Sequence, residues 1–336
     1  MTIEENDSFD PLTICPDTPF TQVSFYGEWQ KSLGREARSF VIRERERVIS
    51  CFQLIKYPFF RDKSYLYIPY GPIIEGFSEH FLKFLKIELV KIAKENKAVF
   101  VRLDFTPSVS SAILSKFFTK APLYTYHSAY FQPRTEWFLG LEKTKDELLT
   151  AMHEKTRYSI RLAKRKGITA EIITEDFGNY FESFYELMVK TAKRNGFSLH
   201  SKTYYQNMFQ TLEPDRAYLV VARYGEKILV IDLIIHYGPT ANYVFGGSSS
   251  EHRNFCASSL AQWRAIIQAK NIGCENYNFG GVATDKIYKG WDGLTRFKKR
   301  FGGHEVSHSD FFDIVAQPFW YHLYNFRKFI LKLTRG

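Results

Sequence analysis

Two stretches of the chain, about 176 residues apart, share one order of apolar and polar positions. The first covers residues 38–105 and includes RSFVIRERERVISCFQLIKYP, SYLYIPYGPII, HFLKFLKIELVKIAKENKA and VFVRLDF. The second covers residues 216–281 and includes RAYLVVARYGEKILVIDLIIHYG, ANYVFGGSSS, SSLAQWRAIIQAKNIGC and ENYNFGG. Strands repeat every two residues and helices every 3.6, so both stretches predict strand, turn, strand, strand, helix and strand.

Fixed landmarks support this internal repeat. Ala-Lys pairs begin at residues 93 and 269, and the third strands end in aromatic-Gly pairs at 70–71 and 245–246. A period this long indicates a duplicated domain and not a solenoid. We therefore expect an α/β protein with domains at 1–143 and 144–314. We expect the last helix, 315–336, to return to the first domain, because chain termini often lie close together.

The segment between the copies, residues 133–214, is mainly helical in pattern. Thr144 and Glu147 form a capping box before an apolar run, and this predicts one helix that continues to Gly167. A second helix is predicted over 177–194 and a third over 201–212.

The net charge of the chain indicates which classes of partner it could bind. The 336 residues carry a net charge of +10, with 46 Lys and Arg against 36 Asp and Glu. Such a surface attracts phosphates, nucleic acid or an anionic membrane face. Aromatic residues make up 17%, which disfavours disorder.

Targeting signals and disulfide patterns are not evident. The acidic N-terminus lacks a secretory signal, no apolar run is long enough to span a bilayer, and the four cysteines form no CxxC pair. We expect a cytoplasmic protein with reduced thiols. The stretch 319–332 mixes aromatic and aliphatic residues with cations, and two interpretations stay open: a terminal helix packed on its own domain, or an amphipathic helix at the inner membrane face.

An ordered set of motifs resembles the Fem (FemABX) family of non-ribosomal peptidyl transferases. The set comprises WFLGLEKTKDELLTAMHEKTRYSIRLAKRKG, TAKRNGF, YVFGGSS, YNFGG and GLTRFKKRFGG, within a match from about residue 20 to 315. The resemblance implies tandem GNAT-like acyltransferase domains, in agreement with the repeat. It also implies transfer of an amino acid from aminoacyl-tRNA to the side-chain amine at position three of the peptidoglycan stem peptide. No coiled-coil arm is visible, so the chain resembles the compact, FemX-like branch.

The resemblance assigns the reaction centre to Lys298, preceded by Phe297 as in the family. Aminolysis of an activated ester needs positioning and charge stabilisation of the oxyanion, and a cation fits the second role. The alternative is a solvated charge at the end of a strand. If the segment is a strand, the side chain of Lys299 lies on the opposite face.

Two further residues of the second copy match family positions. Arg194 matches an arginine that contacts the diphosphate of the substrate, and an arginine fork suits phosphate. Its alternative role is a cation at a helix C-terminus. Tyr243 matches a tyrosine that lines the substrate site, although a strand aromatic is more often part of a core.

In the first copy, the resemblance points to Asp104 as the group that orients or deprotonates the attacking amine. A turn cap is the alternative. Lys31 is near the family's phosphate-binding lysine, in a register that also allows Gln30. Tyr70, at the end of the third strand, is a further expected substrate contact.

The predicted helix before Gly167 is strongly basic. Its cations are candidates for weak contacts with tRNA phosphates, or simply form an exposed basic face; they are Arg157, Arg161, Lys164 and Arg165. The resemblance implies no cofactor, with aminoacyl-tRNA as co-substrate. The expected acceptor is UDP-MurNAc-pentapeptide or lipid II, and we expect a monomer.

The sequence allows three other interpretations of the chemistry. His304 to His308 spells HExxH, but the preceding glycines and the alternation favour a strand. Residues four apart on a strand are about 13 Å apart, too far to share one zinc, so no metal is expected. An acyl-CoA or protein N-terminal acyltransferase is an alternative, although neither copy has a glycine-rich pyrophosphate turn. A non-catalytic RNA-binding or membrane-surface module is another.

Overall fold

The structure is a computed structural model, and it describes residues 1–106, 109–125, 131–283 and 290–335. The elements up to residue 120 are β1 (Thr2–Glu5), α1 (Ser24–Ser32), β2 (Ala37–Glu44), β3 (Arg47–Phe60), β4 (Lys63–Ile68), β5 (Ile73–Ile74), α2 (Glu79–Glu95), β6 (Ala98–Asp104), α3 (Ser111–Leu114) and β7 (Thr119–Lys120). Those that follow are β8 (Thr135–Gly140), α4 (Lys145–Ala151), α5 (Glu154–Arg165), β9 (Ile168–Ile173), α6 (Phe181–Asn195), α7 (Lys202–Gln210), β10 (Ala217–Tyr224), β11 (Lys227–Tyr237), β12 (Thr240–Ser248), α8 (Ala257–Asn271), β13 (Asn276–Gly281), α9 (Asp292–Lys299), β14 (His304–Ser307), β15 (Phe311–Val315) and α10 (Pro318–Arg335).

These elements form two compact units, each built on one sheet. The first unit is Met1–Arg134 with Ser307–Gly336, and the second is Thr135–Val306. The first sheet has the order β1-β2-β3-β4-β6-β15-β7, with β5 on β3, and the second has the order β9-β10-β11-β12-β13-β8-β14. The two orders correspond strand for strand. The duplication predicted from the sequence is therefore confirmed in the strand order.

Each sheet contains a parallel pair of strands that a helix connects. β4 and β6 are parallel and joined through α2, whereas β12 and β13 are parallel and joined through α8. Both helices bury apolar residues at helical spacing, such as Phe81, Leu85 and Leu89 on α2. This amphipathic packing on one face of a sheet is the arrangement that the repeated pattern predicted.

The strand after each copy pairs in the sheet of the other copy. β8 follows the first copy in sequence, yet it pairs antiparallel with β13, where Leu139 faces Tyr277. β15 follows the second copy and pairs antiparallel with β6, where Phe312 faces Leu103. The compact units consequently change at residues 134 and 307, whereas the sequence placed the domain limits at 143 and 314.

The last helix packs on the first unit. The ring of Tyr324 lies 4.9 Å from that of Phe100 on β6, and the Tyr321 hydroxyl donates 2.9 Å to Asp313. Asp313 on β15 also forms a two-fold hydrogen-bonded ion pair with Arg102, at 2.7 Å for each bond, and both side chains are fully buried. These contacts tie α10, β15 and β6 together.

The helical segment between the copies differs from prediction in one place. The capping box of Thr144 and Glu147 is present, but the helix ends at Ala151 and a new one begins at Glu154. Met152 between them is extended, with ψ 155°. Arg157 donates from Nη1 to the carbonyl of Thr150 at 2.9 Å and so caps the first helix. The prediction of one continuous helix to Gly167 was therefore wrong, while α6 and α7 fall where helices were expected.

Among the residues that the structure describes, no helix has the length and apolar character of a membrane-spanning segment.

Candidate active site

In the second unit, the two parallel strands separate at their carboxyl ends. β12 and β13 pair from Thr240 with Asn276 to Asn242 with Asn278. Beyond this point β12 changes register against β11, and β13 changes register against β8 before Gly281. The pairing of the two strands therefore stops before their carboxyl ends, and we call this unpaired region the opening. The carboxyl ends of parallel strands are where ligands bind in open α/β sheets.

Lys298 on α9 places its ammonium group at this opening. In the described part of the chain, Nζ donates one hydrogen bond, to the carbonyl oxygen of Gly281 at 2.7 Å. Gly280 has φ +72°, and a Cβ built on it would lie 3.8 Å from Nζ and 3.4 Å from the carbonyl oxygen of Tyr243. Glycine at this left-handed position leaves the space beside the ammonium group unfilled.

Burial sets the protonation of Lys298. The residue is 5% exposed, and loss of hydration lowers the pKa of its ammonium group to about 7, while the charge of Glu136 acts in the opposite direction. An ammonium group has three N–H donors, so donors remain for a substrate oxygen. A buried cation in this position can stabilise negative charge that develops on a bound carbonyl group.

Polar residues that the sequence analysis missed surround the strand ends. Asn278 donates from Nδ2 to Glu136 Oε1 at 3.0 Å and to Asn242 Oδ1 at 3.2 Å. Its own Oδ1 accepts the Gly280 amide at 2.7 Å, which fixes the turn beside Lys298. The signal was present in the sequence, because two asparagines alternate within the otherwise buried strand ENYNFGG.

Tyr243 is held by a buried carboxylate. Its hydroxyl donates to Asp232, whose other oxygen accepts from Gln262 Nε2 at 2.8 Å. Burial raises the pKa of Asp232 to about 7, and it raises the pKa of the Tyr243 hydroxyl well above its ordinary value. Gly246 gives this pair its space, because a Cβ there would collide with both the hydroxyl and the carboxylate. Tyr243 thus has its backbone carbonyl at the opening, while its hydroxyl is engaged inside the unit.

Arg194 lies near the end of α6 and reaches the end of β12. Its guanidinium donates to the Ser248 carbonyl at 3.0 Å, the Ser248 hydroxyl at 2.7 Å and the Ser250 hydroxyl at 3.1 Å. Burial first, and then the charge of Arg253, lowers the pKa of the guanidinium group. Arg194 therefore orders the Gly-Gly-Ser-Ser segment and sits beside a second cation, which is a suitable setting for a phosphate.

The segment around Lys298 is a helix, so the predicted strand alternation was wrong. Lys298 and Lys299 are consecutive residues of α9, so their side chains differ by about 100° around the helix axis and do not lie on opposite faces of a strand. Lys299 is exposed, lies 4.8 Å from the ring centre of Trp137 and 3.7 Å from Glu305. Phe297 is half-buried and stacks edge-on against Phe301, with ring centres 5.2 Å apart. Phe297 thus anchors the helix that carries Lys298.

β14 confirms the predicted strand at the HExxH pattern. The strand spans His304–Ser307.

In the first unit, the corresponding end of the parallel pair is closed. Asp104 ends β6 and is 2% exposed; its carboxylate accepts the Tyr67 hydroxyl and the Tyr70 amide, both at 2.7 Å. Burial raises the pKa of Asp104 well above its ordinary value. Tyr70 has φ +52°, stacks on His308 at 4.1 Å and donates its hydroxyl to the Pro133 carbonyl at 2.6 Å. Asp104 and Tyr70 are therefore in contact with each other, and the sequence analysis did not predict this contact.

Lys31 lies elsewhere in the first unit, on α1. It is exposed, donates 2.9 Å to Glu28 and lies 3.9 Å from Asp7. The hydrogen bond to Glu28 is the main cause of a raised Lys31 pKa. Gln30, the alternative in the adjacent register, is buried and accepts a hydrogen bond from Arg35. The lysine with its two acidic neighbours is a poorer phosphate ligand than Arg194.

The basic helix is α5, and its cations differ in exposure. Arg161, Lys164 and Arg165 are exposed, whereas Arg157 is half-buried and engaged in capping α4. At the start of α5, His153 borders a depression of about 500 Å³ that α9 also lines with Arg296, Lys299 and Arg300. Two cations of α9, together with Arg300 just after it, therefore face the start of α5, beside the acidic Asp292.

Comparison with known proteins gives consistent matches. The model of the FemAB family matches residues 122–226 and 220–328. The chain is 23% identical to a "Lipid II:glycine glycyltransferase" of Staphylococcus saprophyticus subsp. saprophyticus, covering 94% of this chain and 92% of that protein. It is also 23% identical to a protein of the same name from Staphylococcus aureus, over 95% and 93% of the two chains.

Solved structures agree on the fold. A crystal structure of FemX has a TM-score of 0.81 at 21% identity and covers 97% of this chain and 100% of its own. A tandem GNAT protein from the clavulanic acid biosynthesis pathway has a TM-score of 0.53 at 12% identity, over 84% and 83%. The predicted fold class, tandem GNAT-like domains without a coiled-coil arm, is confirmed.

Proposed function

Because the chain belongs to the FemAB family, we propose that it is an aminoacyltransferase of peptidoglycan assembly. The donor is an aminoacyl-tRNA, which serves as co-substrate, and the reaction uses no further cofactor. The acceptor is the side-chain amine at position three of the stem peptide. Relatives named as lipid II:glycine glycyltransferases support the lipid-linked form of the precursor.

The chemical step is aminolysis of an ester. The amine nitrogen attacks the ester carbonyl carbon, and the carbonyl oxygen becomes an oxyanion. Collapse of this intermediate breaks the bond to the ribose oxygen of the tRNA, and the proton lost by the amine is taken up by that leaving oxygen. The Lys298 ammonium group hydrogen-bonds the oxyanion, which lowers the barrier because this interaction is strongest in the transition state.

The observation that carries the proposal is the buried cation at the separated strand ends. Lys298 is almost fully buried, and its pKa of about 7 reflects that burial. Placing an ammonium group there destabilises the fold, and such a cost is typical of groups that are retained for function. The carboxyl ends of β12 and β13 beside it are not paired with each other, and we place the aminoacyl group there.

The other residues bind and orient. Arg194 holds a phosphate of the acceptor at the end of β12, and Tyr243 lines the opening with its backbone. The exposed cations of α5, with those of α9, hold tRNA phosphates. The role predicted for Asp104, to orient or deprotonate the attacking amine, stays a prediction, because in the first unit its buried carboxylate already accepts the Tyr67 hydroxyl and the Tyr70 amide. Lys31 and Tyr70 are secondary candidates for substrate contact.

The test is a product assay with the full chain. The protein is incubated with a mixed pool of aminoacyl-tRNAs and with lipid II or UDP-MurNAc-pentapeptide, and the products are analysed by mass spectrometry. We expect one amino acid added to the residue at position three, abolished when the tRNA pool is deacylated first.

A parallel incubation replaces aminoacyl-tRNA with acetyl-CoA and a peptide acceptor. Acyl transfer in this arm, together with no product from aminoacyl-tRNA, would contradict the proposal and favour an acyl-CoA transferase. Binding of tRNA without any product in either arm would favour a non-catalytic module.

A further inference from the structure

Helix α10 presents a continuous apolar face to solvent. Five residues form one stripe with the spacing i, i+4, i+7, i+11 and i+14; they are Phe319, Leu323, Phe326, Ile330 and Leu333. Phe319 is 73% exposed, Phe326 62% and Leu333 63%. Exposed apolar side chains that stand singly are ordinary, but a contiguous stripe marks an interaction surface.

The opposite face of the same helix accounts for its packing. Tyr321, Tyr324 and Asn325 are buried and face the first unit. The outer stripe is therefore not needed to hold α10 in place. Both interpretations of the terminal stretch that the sequence left open describe one helix, with one face packed and the other exposed.

More apolar surface lies beside the stripe. Phe329 is 43% exposed and contacts Tyr124, whose neighbour Leu123 is 53% exposed. On another side, Phe59 packs against Tyr324. These contacts extend the apolar patch from α10 to the adjoining loop.

The charges of the helix indicate what binds to it. From residue 318 to the end, the chain contains no Asp or Glu but carries Arg327, Lys328, Lys332 and Arg335. A second copy of the chain, packed stripe to stripe, would bring these cations together without any compensating acid on the helix. An exposed stripe of phenylalanine and leucine, on a helix whose charged residues are all cations, instead matches the interface of a bilayer that contains anionic lipids.

We propose that the outer face of α10 binds the surface of an anionic bilayer, with the helix axis in the plane of the interface. The apolar stripe enters the boundary between headgroups and acyl chains, and the positive charge of the helix attracts the anionic surface. Binding itself is independent of catalysis. Its purpose rests on the proposed function, because a lipid-linked acceptor would be presented at that surface.

The experiment measures binding of the full chain to vesicles by co-sedimentation. Vesicles of phosphatidylcholine with 30 mol% phosphatidylglycerol, on the order of the anionic content of charged membranes, are compared with phosphatidylcholine alone. We expect binding to the anionic vesicles that weakens as salt increases. The double variant Phe319→Ser/Phe326→Ser should bind at least about tenfold more weakly, because two exposed phenylalanines lose their burial in lipid.

Matched control variants distinguish binding by this surface from non-specific binding of the protein to vesicles. Ile87, on α2 of the same unit, is 56% exposed, so Ile87→Ser removes an equally accessible apolar side chain and should bind as the wild type does. Lys332→Gln should weaken binding about fivefold, whereas Lys83→Gln on α2 should change it little. Circular dichroism of each variant checks the fold, and none of the replaced side chains is buried.

The outcomes are distinct. Absence of wild-type binding to anionic vesicles, or equal loss in the α10 and α2 variants, would overturn the proposal. So would light scattering that shows a wild-type dimer and a monomeric double variant, because the stripe would then be covered by a second copy. If the wild type binds vesicles but transfers no amino acid to any acceptor, the membrane surface stands and the proposed function fails. A double variant active on the nucleotide-linked precursor and impaired on vesicle-borne lipid II supports both.

Discussion

The ammonium nitrogen of Lys298 lies 2.7 Å from the carbonyl oxygen of Gly281. Only 5% of the Lys298 surface is exposed. The backbone carbonyl belongs to the last residue of β13, just where β12 no longer pairs with it. Lysine is among the residues least often buried without a paired charge. The hydrogen bond therefore holds a buried ammonium group at the end of β13, beyond the part of that strand that pairs with β12.

Replacement of Lys298 should affect the rate of transfer more than substrate affinity. Lys298→Ala and Lys298→Met should each lower kcat by roughly 10²–10³, as for other lost oxyanion donors. Lys298→Arg should recover little, since a planar fork does not substitute for a point charge in a closed site. Steady-state kinetics with aminoacyl-tRNA and precursor measure the effect.

Lys299→Ala is the control for this prediction. It lies on the same helix and is exposed, with contacts to Trp137 and Glu305. Its loss should weaken tRNA binding slightly and leave kcat nearly unchanged. Equal losses of kcat in the two positions would indicate a diffuse basic surface and would remove the catalytic assignment of Lys298.

The same lysine should make stability depend on pH. Its pKa is about 7 in the folded chain and 10.5 ordinarily, so between these values the unfolded state binds more protons. Stability should therefore rise with pH across this window, by up to about 1.4 kcal/mol per pH unit, and the penalty is complete below pH 7. Urea unfolding at pH 7.5 and 9.0 measures the change.

Comparison with Lys298→Met isolates this contribution. The variant should be more stable than the wild type at pH 7.5, and the advantage should shrink by about 2 kcal/mol at pH 9.0. Lys299→Met should keep the wild-type pH dependence. A Lys298→Met variant that is less stable than the wild type at pH 7.5 would show that the ammonium group is stabilised in place.

Gly246 should be required for the contact between Tyr243 and Asp232. A methyl group at this position would collide with the tyrosine hydroxyl and the carboxylate, so Gly246→Ala should lower the free energy of unfolding by about 1–3 kcal/mol. Gly178→Ala is the matched control, because its Cβ would meet nothing within 4 Å. Thermal or urea unfolding that found the two variants equally stable would show that the tyrosine hydroxyl moves away at little cost.

Arg194 should contribute to affinity for the acceptor. Arg194→Ala removes a cation that faces the segment after β12, and loss of a charge-assisted contact costs on the order of 1.5–3 kcal/mol. Calorimetry with UDP-MurNAc-pentapeptide should thus show about tenfold or greater weakening. Lys193→Ala, the exposed neighbour, should bind normally. Unchanged affinity of Arg194→Ala would exclude this location for the diphosphate.

The parts of the fold that depend on local pattern were predictable. The repeat follows from comparing two stretches of the chain, the capping box of Thr144 and Glu147 from residue spacing, and the packing of the last helix from the closeness of chain termini. The pairing of β8 and β15 was not, since alternation marks a strand but does not say which sheet receives it. For the same reason the predicted limits, 143 and 314, leave β8 with the first domain and β15 with the second, whereas the compact units change at residues 134 and 307.

The site was partly predictable. Lys298 was named through a family motif, but its helix was taken for a strand, although Phe297 and Phe301 are four residues apart as on one helix face. Asp232 was missed; its sign in the sequence is a single carboxylate within the apolar run ILVIDLII. Its partners Tyr243 and Gln262 come from other elements, so the hydrogen bonds themselves are visible only after folding.

The exchange of strands has a consequence for the order in which the protein matures during translation. Arg102 on β6 can form its ion pair only after Asp313 on β15 has been synthesised, and Asp313 is 211 residues further along the chain. At typical synthesis rates, roughly 10–40 s pass before that residue has been made. During this interval β6 keeps an unpaired edge and a guanidinium without its carboxylate. The unit that leaves the ribosome first is consequently the last one able to close its sheet.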